Sequence, residues 1–483
     1  YTVQESISLY AALGGLPGLW RLLYPQNSAE ENLIRLLLQR NSFLPELMIK
    51  WLSEESRETA VYDTILATLA DGRHGKLNDM YAHTGFSRAK ISVYLKNLME
   101  LELVEKVLPG TYEICNAFVR FYFCFLFPHQ TSERTEGSTF YEKYYVQPDV
   151  NAIKFPSTKK NLVVLYLESI EQTYQAKEIF NDNLLPKLSL IKKEYVSFSD
   201  YYEIYGAGWT IAGLVTTNCG IPLITPLAPN MYGIQKKFLP GAVCLQDILA
   251  VHGYRQIFMI GGSKYFSCFD SFFNNRAEPH AEIIDNEFFN RKDNYWGVKD
   301  SFLYKAAQQK ITELSKSHQP FSLLIMTINT HQPKGILDNQ CSGNKDNFMD
   351  IVKCADYMAA DFIEWLKKQP FFKNISLVVL GDHLVINNAL YDKYLQPHQK
   401  KRRIFNLFIN SNYTENINTN RHFSGVDIFP TVLEGIGADI PNRRLGLGVS
   451  LYDNSQQTLI EVLGKKRLDE ELYKKSDLSL IHI

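Results

Sequence analysis

"SLVVLGDHLV", residues 376–385, runs four apolar residues, Leu377 to Leu380, into Gly381 and then into an acid and an imidazole, Asp382 and His383. An unbroken apolar run bounded in this way is the pattern of a strand buried on both faces, as in a parallel sheet. Neighbouring residues of an extended strand point to opposite faces, so Asp382 and His383 serve one site only if the chain turns there. Gly381 is expected to permit that turn.

Four further runs read the same way: "LVVLYL" (162–167), "QIFMI" (256–260), "FSLLIMTI" (321–328) and "IFNLFI" (404–409). Amphipathic helical stretches such as "AVCLQDILAVHGY" and "CADYMAADFIEWLKKQ" separate them. The alternation predicts an α/β fold, a mostly parallel sheet sandwiched by helices. Ligands bind such sheets at the carboxyl ends of the strands. Those ends carry Glu168, then Gly261, Gly262 and Ser263, then Asn329, Thr330 and His331, and finally Asp382 and His383. Acids and amides commonly end strands, but four such endings predict one polar site along one edge.

A reacting group is supplied by "GAGWTIAGLVTTNCG" (206–220), where Thr210 opens a helix-like run that closes at Gly220. Two roles fit Thr210. Its side chain could cap the helix, or its hydroxyl could act as a nucleophile, with the positive helix end favouring an alkoxide and a bound phosphate or sulfate group. Glu168, Thr210, Asp382 and His383 would together offer three oxygens and one nitrogen, a set that suits Mn²⁺ or Mg²⁺ and admits Zn²⁺. An ion there would lower the hydroxyl pKa and let Thr210 attack phosphorus. His422 reads as a further ligand or as a structural histidine, and Glu171 as a solvated acid.

Composition narrows the classes. The 483 residues leave room for two or three domains, and 45% hydrophobic with 21% charged residues describe an ordinary globular protein. A net charge of −1 gives no global pull toward nucleic acid or anionic lipid. The seven cysteines contain no CxxC pair, which argues against a zinc ribbon or a dense disulfide framework and leaves the redox compartment open. The run "FVRFYFCFLF" carries Arg120 and is too short to cross a membrane. No signal-peptide pattern opens the chain, which starts at Tyr1, as a fragment would. GxxxxGK[ST], GxGxxG and GxSxG are all missing, which disfavours P-loop, dinucleotide and serine-hydrolase chemistry.

Residues 1–130 read differently. "SAEENLIRLLLQR" opens with Ser28 and Glu31 at capping-box spacing. "YDTILATLADG", "KLNDMYAHTG" and "SRAKISVYLKNLMELEL" predict three helices, the first two closed by Gly72 and Gly85, and "VEKVLPGTYEI" a hairpin around Pro109-Gly110. That is the winged-helix order, with Ile91, Leu95 and Leu98 inward and Arg88, Ser92 and Lys96 outward. The outward stripe suits either a major groove or a solvated face, and Glu100, Glu102 and Glu105 weaken the nucleic-acid reading. The expected organisation is a helical and winged-helix domain over 1–130, a polar linker "TSERTEGST" over 131–139, a catalytic domain over 140–470 and a tail over 471–483.

Five motifs then carry a resemblance. "KNLVVLYLESIEQTY", "WTIAGLVTTNCGIPL", "TINTHQP", "VVLGDHL" and "DIFPTVLEGIGADIPNRRLGLGVSLY" resemble, in order and over residues 138–470, the phosphoglycerol transferase and lipoteichoic acid synthase branch of the alkaline phosphatase–sulfatase superfamily. The resemblance implies a Thr210 nucleophile and a single metal, usually Mn²⁺, held by Glu168, Thr210, Asp382 and His383, with His331 contacting the substrate phosphate. It implies transfer of glycerol phosphate from phosphatidylglycerol to a glucan or polyol-phosphate hydroxyl through a phosphothreonine, by a membrane enzyme whose catalytic domain lies outside the cytoplasm. "GGSKYFSCF" replaces the Trp-Asn-Arg segment of the polymer synthases and is closer to the osmoregulated-glucan transferases. "CGIPL" does not meet the C/S-x-P-x-R motif of true sulfatases. The alternatives are a phosphoethanolamine transferase or other single-metal phosphodiesterase, and a regulatory binding protein that works through the winged helix beside a degenerate sulfatase-like domain.

"YAALGGLPGLWRLL" and "NAFVRFYFCFLFP" resemble instead the C-terminal part of archaeal-type ATPases, whose P-loop domain would precede Tyr1. The two resemblances share no family, so a join near residues 128–138 is expected, either a metagenomic assembly chimera or a natural fusion. The closing "LSLIHI" (478–483) reads as the translation of a transposon end.

Overall fold

The computed structural model describes residues 1–15, 17–38, 44, 59–70, 72, 75–84, 86–126, 138–224, 238–290, 293, 296–385, 388–413 and 415–474. Gly85, residues 131–137 of the expected linker and residues 475–483 of the expected tail lie outside them. The chain forms two compact units, one within Tyr1–Glu133 and one built from Arg134–Ile224 with Lys237–Ile483.

In the first unit, Ser28 and Glu31 satisfy each other's backbone at the start of the helix Ala29–Leu33. Helices Thr59–Ala70, Leu77–Thr84 and Arg88–Glu100 are followed by the antiparallel strands β1 (Val104–Leu108) and β2 (Thr111–Ile114). Ile91, Leu95 and Leu98 are buried, while Arg88, Ser92 and Lys96 are exposed. The two cations are already engaged within the unit. Arg88 donates to Asn78 and lies over the Tyr81 ring, and the Lys96 ammonium is 3.9 Å from Glu100.

The second unit contains β3 (Asn161–Leu167), β4 (Asp200–Tyr202), β5 (Arg255–Ile260), β6 (Glu282–Ile284), β7 (Phe321–Met326), β8 (Ile375–Gly381), β9 (Asn406–Ile409) and β10 (His422–Ser424). Six of them make one sheet in the order β6-β5-β7-β3-β8-β9, parallel except for β9, which runs antiparallel to β8 at the edge. β4 and β10 pair separately, in parallel.

Every residue of β3, β7 and β8 is buried, because helices cover both faces. On one face Val163, Leu165 and Leu167 pack with Leu303, Ala307 and Ile311 of the helix Asp300–Leu314 and with the helix Phe348–Lys367. Tyr166, pointing the other way, bonds Thr217 and Asn218 of the helix Thr210–Cys219. The helix Lys465–Tyr473 brings Leu468 and Leu472 against Phe140 and Tyr141 near the start of the unit.

Two features go beyond the sequence reading. Four of the seven cysteines are paired, Cys219 with Cys244 and Cys341 with Cys354. Gly381 is needed for close approach: a Cβ there would lie 2.1 Å from the carbonyl oxygen of Ile170, and its backbone is not in the left-handed region.

A candidate metal centre at the ends of three strands

The register of β3 against β8 pairs Leu167 with Gly381, so the next residues, Glu168 and Asp382, leave the sheet side by side. β7, on the other flank of β3, leads through Thr327 and Asn329 to His331. Three adjacent strands of one sheet thus deliver the acid, the acid-imidazole pair and the further histidine to one edge, as expected at the carboxyl ends of parallel strands.

Glu168, Asp382 and His383 are all buried, and one ligand atom from each lies within 4.8 Å of the others. His383 Nε2 is 3.3 Å from Glu168 Oε1 and 3.4 Å from Asp382 Oδ2. The chain turns after Gly381 because Asp382 folds back: its Oδ1 accepts from the backbone N–H of His383 at 2.9 Å and of Ser169 at 2.8 Å. His383 Nδ1 is 2.9 Å from the carbonyl oxygen of Leu384, a contact in which Nδ1 donates and Nε2 is turned toward the carboxylates.

Thr210 is the first residue of its helix, and Trp209 occupies the cap position without a side-chain bond. Thr210 does not cap. Its hydroxyl donates to Glu168 Oε2 at 3.2 Å instead. Of the two roles open to this residue, the structure therefore favours a place in the polar cluster.

Burial opposes the charge on Glu168, yet His331 and His383 outweigh it and hold the carboxyl down at about 2. Asp382 goes the other way, pushed up to about 8 by burial and then by the negative charge of Glu168. His383 is raised well above the ordinary imidazole value, because the two carboxylates overcome its burial. Two buried carboxylates facing one imidazole leave Asp382 Oδ2 with no hydrogen-bond donor. A buried acceptor without a donor is costly, and a divalent cation would satisfy it. With the Thr210 hydroxyl the donors number three oxygens and one nitrogen, hard enough for Mn²⁺ or Mg²⁺ and still acceptable to Zn²⁺. The residues fit the ion.

Several groups around the cluster are not recognisable from sequence. Ser169 holds φ 53 and gives its hydroxyl to Glu168 Oε1 at 2.8 Å, a left-handed backbone of the kind that concentrates at functional sites. The Trp296 ring lies 3.9 Å, centroid to centroid, from His331, whose Nδ1 contacts the Gln332 carbonyl oxygen at 2.8 Å. The glycine turn after β5 lies against the segment from Trp296 to Val298: a Cβ on Gly261 would sit 2.7 Å from the Val298 carbonyl oxygen, and one on Gly262 would crowd the Trp296 carbonyl oxygen at 3.2 Å.

Two expectations change. Glu171 is not solvated; it is fully buried and paired with Arg402. His422 is not gathered with Glu168, Asp382 and His383. It sits half exposed on β10, 3.2 Å from the Tyr202 hydroxyl and 4.0 Å from Asp200.

Residues 160–438, more than half of the chain, match the Sulfatase family. The chain belongs to the sulfatase family. Within that family its curated relatives include phosphoglycerol transferase I of Escherichia fergusonii, 34% identical over 342 residues that make up 68% of this chain and 43% of the relative. Phosphoglycerol transferase I of Escherichia coli is 33% identical over 346 residues, with the same coverage. The chain thus spans about two-fifths of the length of these relatives. An alkaline phosphatase superfamily protein of Vibrio parahaemolyticus shares the fold, with a TM-score of 0.50 at 21% identity, covering 68% of this chain and 78% of that one. The sulfatase fold expected from the five motifs holds, and the curated relatives named above carry the phosphoglycerol transferase name.

Proposed function

We propose that the second unit is a metal-dependent phosphoglycerol transferase that moves glycerol phosphate from phosphatidylglycerol to a hydroxyl acceptor, through a phosphothreonine at Thr210. The observation that carries this reading is the hydroxyl of Thr210, which opens a buried helix and donates to Glu168.

Glu168, Thr210, Asp382 and His383 would hold one divalent ion, Mn²⁺ in the first instance, which when bound would lower the hydroxyl pKa and offset charge developing on phosphorus. The chain's own groups do the rest. Glu168, kept ionised, orients the Thr210 hydroxyl. The first-turn N–H groups of the helix Thr210–Cys219 have no partner within the helix and face an anionic phosphate favourably. His331 donates to a phosphate oxygen or protonates the departing diacylglycerol oxygen. As the Thr210 oxygen bonds phosphorus, its proton passes to solvent. The bond from phosphorus to the diacylglycerol oxygen breaks, with that oxygen taking the His331 proton. The acceptor hydroxyl then attacks phosphorus, returns a proton to His331 and releases Thr210, which regains its proton from solvent.

The acceptor is a glucan or a polyol phosphate. The loop after β5, "GGSKYFSCF", favours the glucan by its likeness to the glucan transferases. Two disulfides in this unit support work in an oxidising compartment outside the cytosol. Among the described residues no helix is long and apolar enough to cross a membrane.

The test is diacylglycerol release from phosphatidylglycerol with Mn²⁺ present, for wild type, Thr210→Ala and Thr210→Ser. Thr210→Ala should abolish turnover while substrate still binds, and Thr210→Ser should retain part of it. Activity of Thr210→Ala within about tenfold of wild type, roughly 1.4 kcal/mol of barrier, would remove Thr210 as the nucleophile.

A further inference from the structure

We propose that Glu171, Glu203 and Arg402 form a clamp on the backbone of Leu384 and Val385 that aims the Asp382–His383 pair, so that metal affinity depends on three side chains outside the ligand set. The inference rests on the metal-centre reading above.

The clamp closes from three places in the chain. Glu171 follows β3, Glu203 follows β4, and Arg402 precedes β9. Arg402 Nε donates to Glu171 Oε2 at 3.1 Å, and its Nη2 donates both to Glu171 Oε1 and to the carbonyl oxygen of Val385. Glu171 Oε1 also accepts from the N–H of Val385 at 3.0 Å. Glu203 Oε2 accepts from the N–H of Leu384 at 2.8 Å. Both backbone groups of Val385 and the N–H of Leu384 are therefore held by charged side chains. The remaining group, the Leu384 carbonyl, is the partner of His383 Nδ1. A shift of the Leu384 peptide would turn the imidazole and move Nε2 away from Glu168 and Asp382.

Stability alone is a poor reason for such a group. Glu171 and Arg402 are almost wholly buried, and an apolar pair of similar volume is often as stable or more so. Arg402 stays charged: burial works against it, and Glu171 and Glu203 more than compensate. What an ion pair supplies that an apolar pair does not is directional bonding to the backbone behind the ligands. Groups that hold ligands from behind commonly change metal affinity by about 10–100-fold when removed.

The experiment uses the full chain and measures Mn²⁺ affinity by titration calorimetry, with the melting temperature of the metal-free protein as a control on folding. Glu203→Ala removes one arm at a half-buried position, and Glu203→Gln restores an acceptor for Leu384. The double variant Glu171→Leu with Arg402→Met removes the buried arm without stranding a charge. We expect Glu203→Ala and the double variant to bind Mn²⁺ about tenfold or more weakly, with Glu203→Gln close to wild type. Folded variants that bind Mn²⁺ as wild type does would overturn the clamp; if the double variant does not fold, Glu203→Ala against Glu203→Gln decides alone. A wild-type chain that takes up neither Mn²⁺, Mg²⁺ nor Zn²⁺ would overturn the metal centre itself, and the clamp with it.

Discussion

Gly213 lies so close to Asp382 that a Cβ on it would sit 2.2 Å from the Asp382 carbonyl oxygen. The helix that presents Thr210 is pressed onto the residue that ends β8, and only a missing side chain allows it. Gly213→Ala should force the two apart. Overpacking of this kind costs about 1–3 kcal/mol, so the melting temperature should fall, and Mn²⁺ should bind more weakly because Asp382 has moved. A variant that melts with wild type would mean the contact is looser than this geometry.

Asp382→Asn separates the metal's contribution from that of the fold. The metal-free variant should melt at or above metal-free wild type, since one of two facing buried carboxylates is gone. Added Mn²⁺ should then raise the melting temperature of wild type, by the mass-action gain of about 2.7 kcal/mol at a hundredfold excess over Kd, and leave the variant unmoved. An equal rise in both would place the ion elsewhere.

Asp300 sets a pH dependence. Its carboxylate takes the N–H groups of Ile328 and Asn329 at 2.8 and 3.1 Å, fixing the segment between β7 and His331. Burial pushes the carboxyl up to about 7, although those two N–H groups oppose the shift. A carboxyl raised above its unfolded value adds stability that is fully present below about pH 4 and is lost as pH rises through 7. With a chelator present, the melting temperature should therefore decline between pH 5 and pH 8, and Asp300→Asn should flatten part of that decline. Asp427, pushed up to about 7, Asp356, pushed up to about 6, and Asp63 and Asp382, each pushed up to about 8, all chiefly by burial, add to it. Parallel wild-type and variant curves would show that Asp300 does not carry the effect.

The cysteines divide by chemistry. Non-reducing peptide mapping should recover Cys219 with Cys244 and Cys341 with Cys354, whereas Cys115, which is exposed, should alkylate in the native protein and buried Cys268 only after unfolding. Closing a loop of 25 residues is worth about 3 kcal/mol. Cys219→Ala with Cys244→Ala should lower the denaturation midpoint accordingly. No change in the midpoint would argue that the bond is absent in solution.

The parts of this site that can be read from sequence are those written in short stretches of chain. β3, β5, β7, β8 and β9 announce themselves as apolar runs, and Glu168, His331, Asp382 and His383 stand directly behind them. Thr210 is legible as a helix start, but whether it caps depends on where Glu168 arrives, 42 residues away in sequence. Glu171 misleads for the same reason: its partner Arg402 is 231 residues distant, and nothing local tells a buried acid from a solvated one. Ser169 in its left-handed turn, Trp296 on His331 and both disulfides depend on tertiary approach. Gly381 was legible as necessary but for the wrong cause, because a close neighbour and a turn both call for glycine.

The cluster draws on residue 168 at the end of β3 and residues 382 and 383 at the end of β8, its neighbour in the sheet but separated from it in the chain by β4 to β7, with Thr210 between them in sequence. A polypeptide still emerging from the ribosome displays Glu168 and Thr210 long before Asp382 exists. No amino-terminal portion ending before β8 can therefore assemble the cluster, and neither can a carboxyl-terminal portion beginning after β3. Uptake of one ion per chain would then report that synthesis has passed residue 383 and that the last parallel strand has inserted beside the first. Separately expressed halves cut between β7 and β8 should each be blind to the ion and recover it only on being mixed.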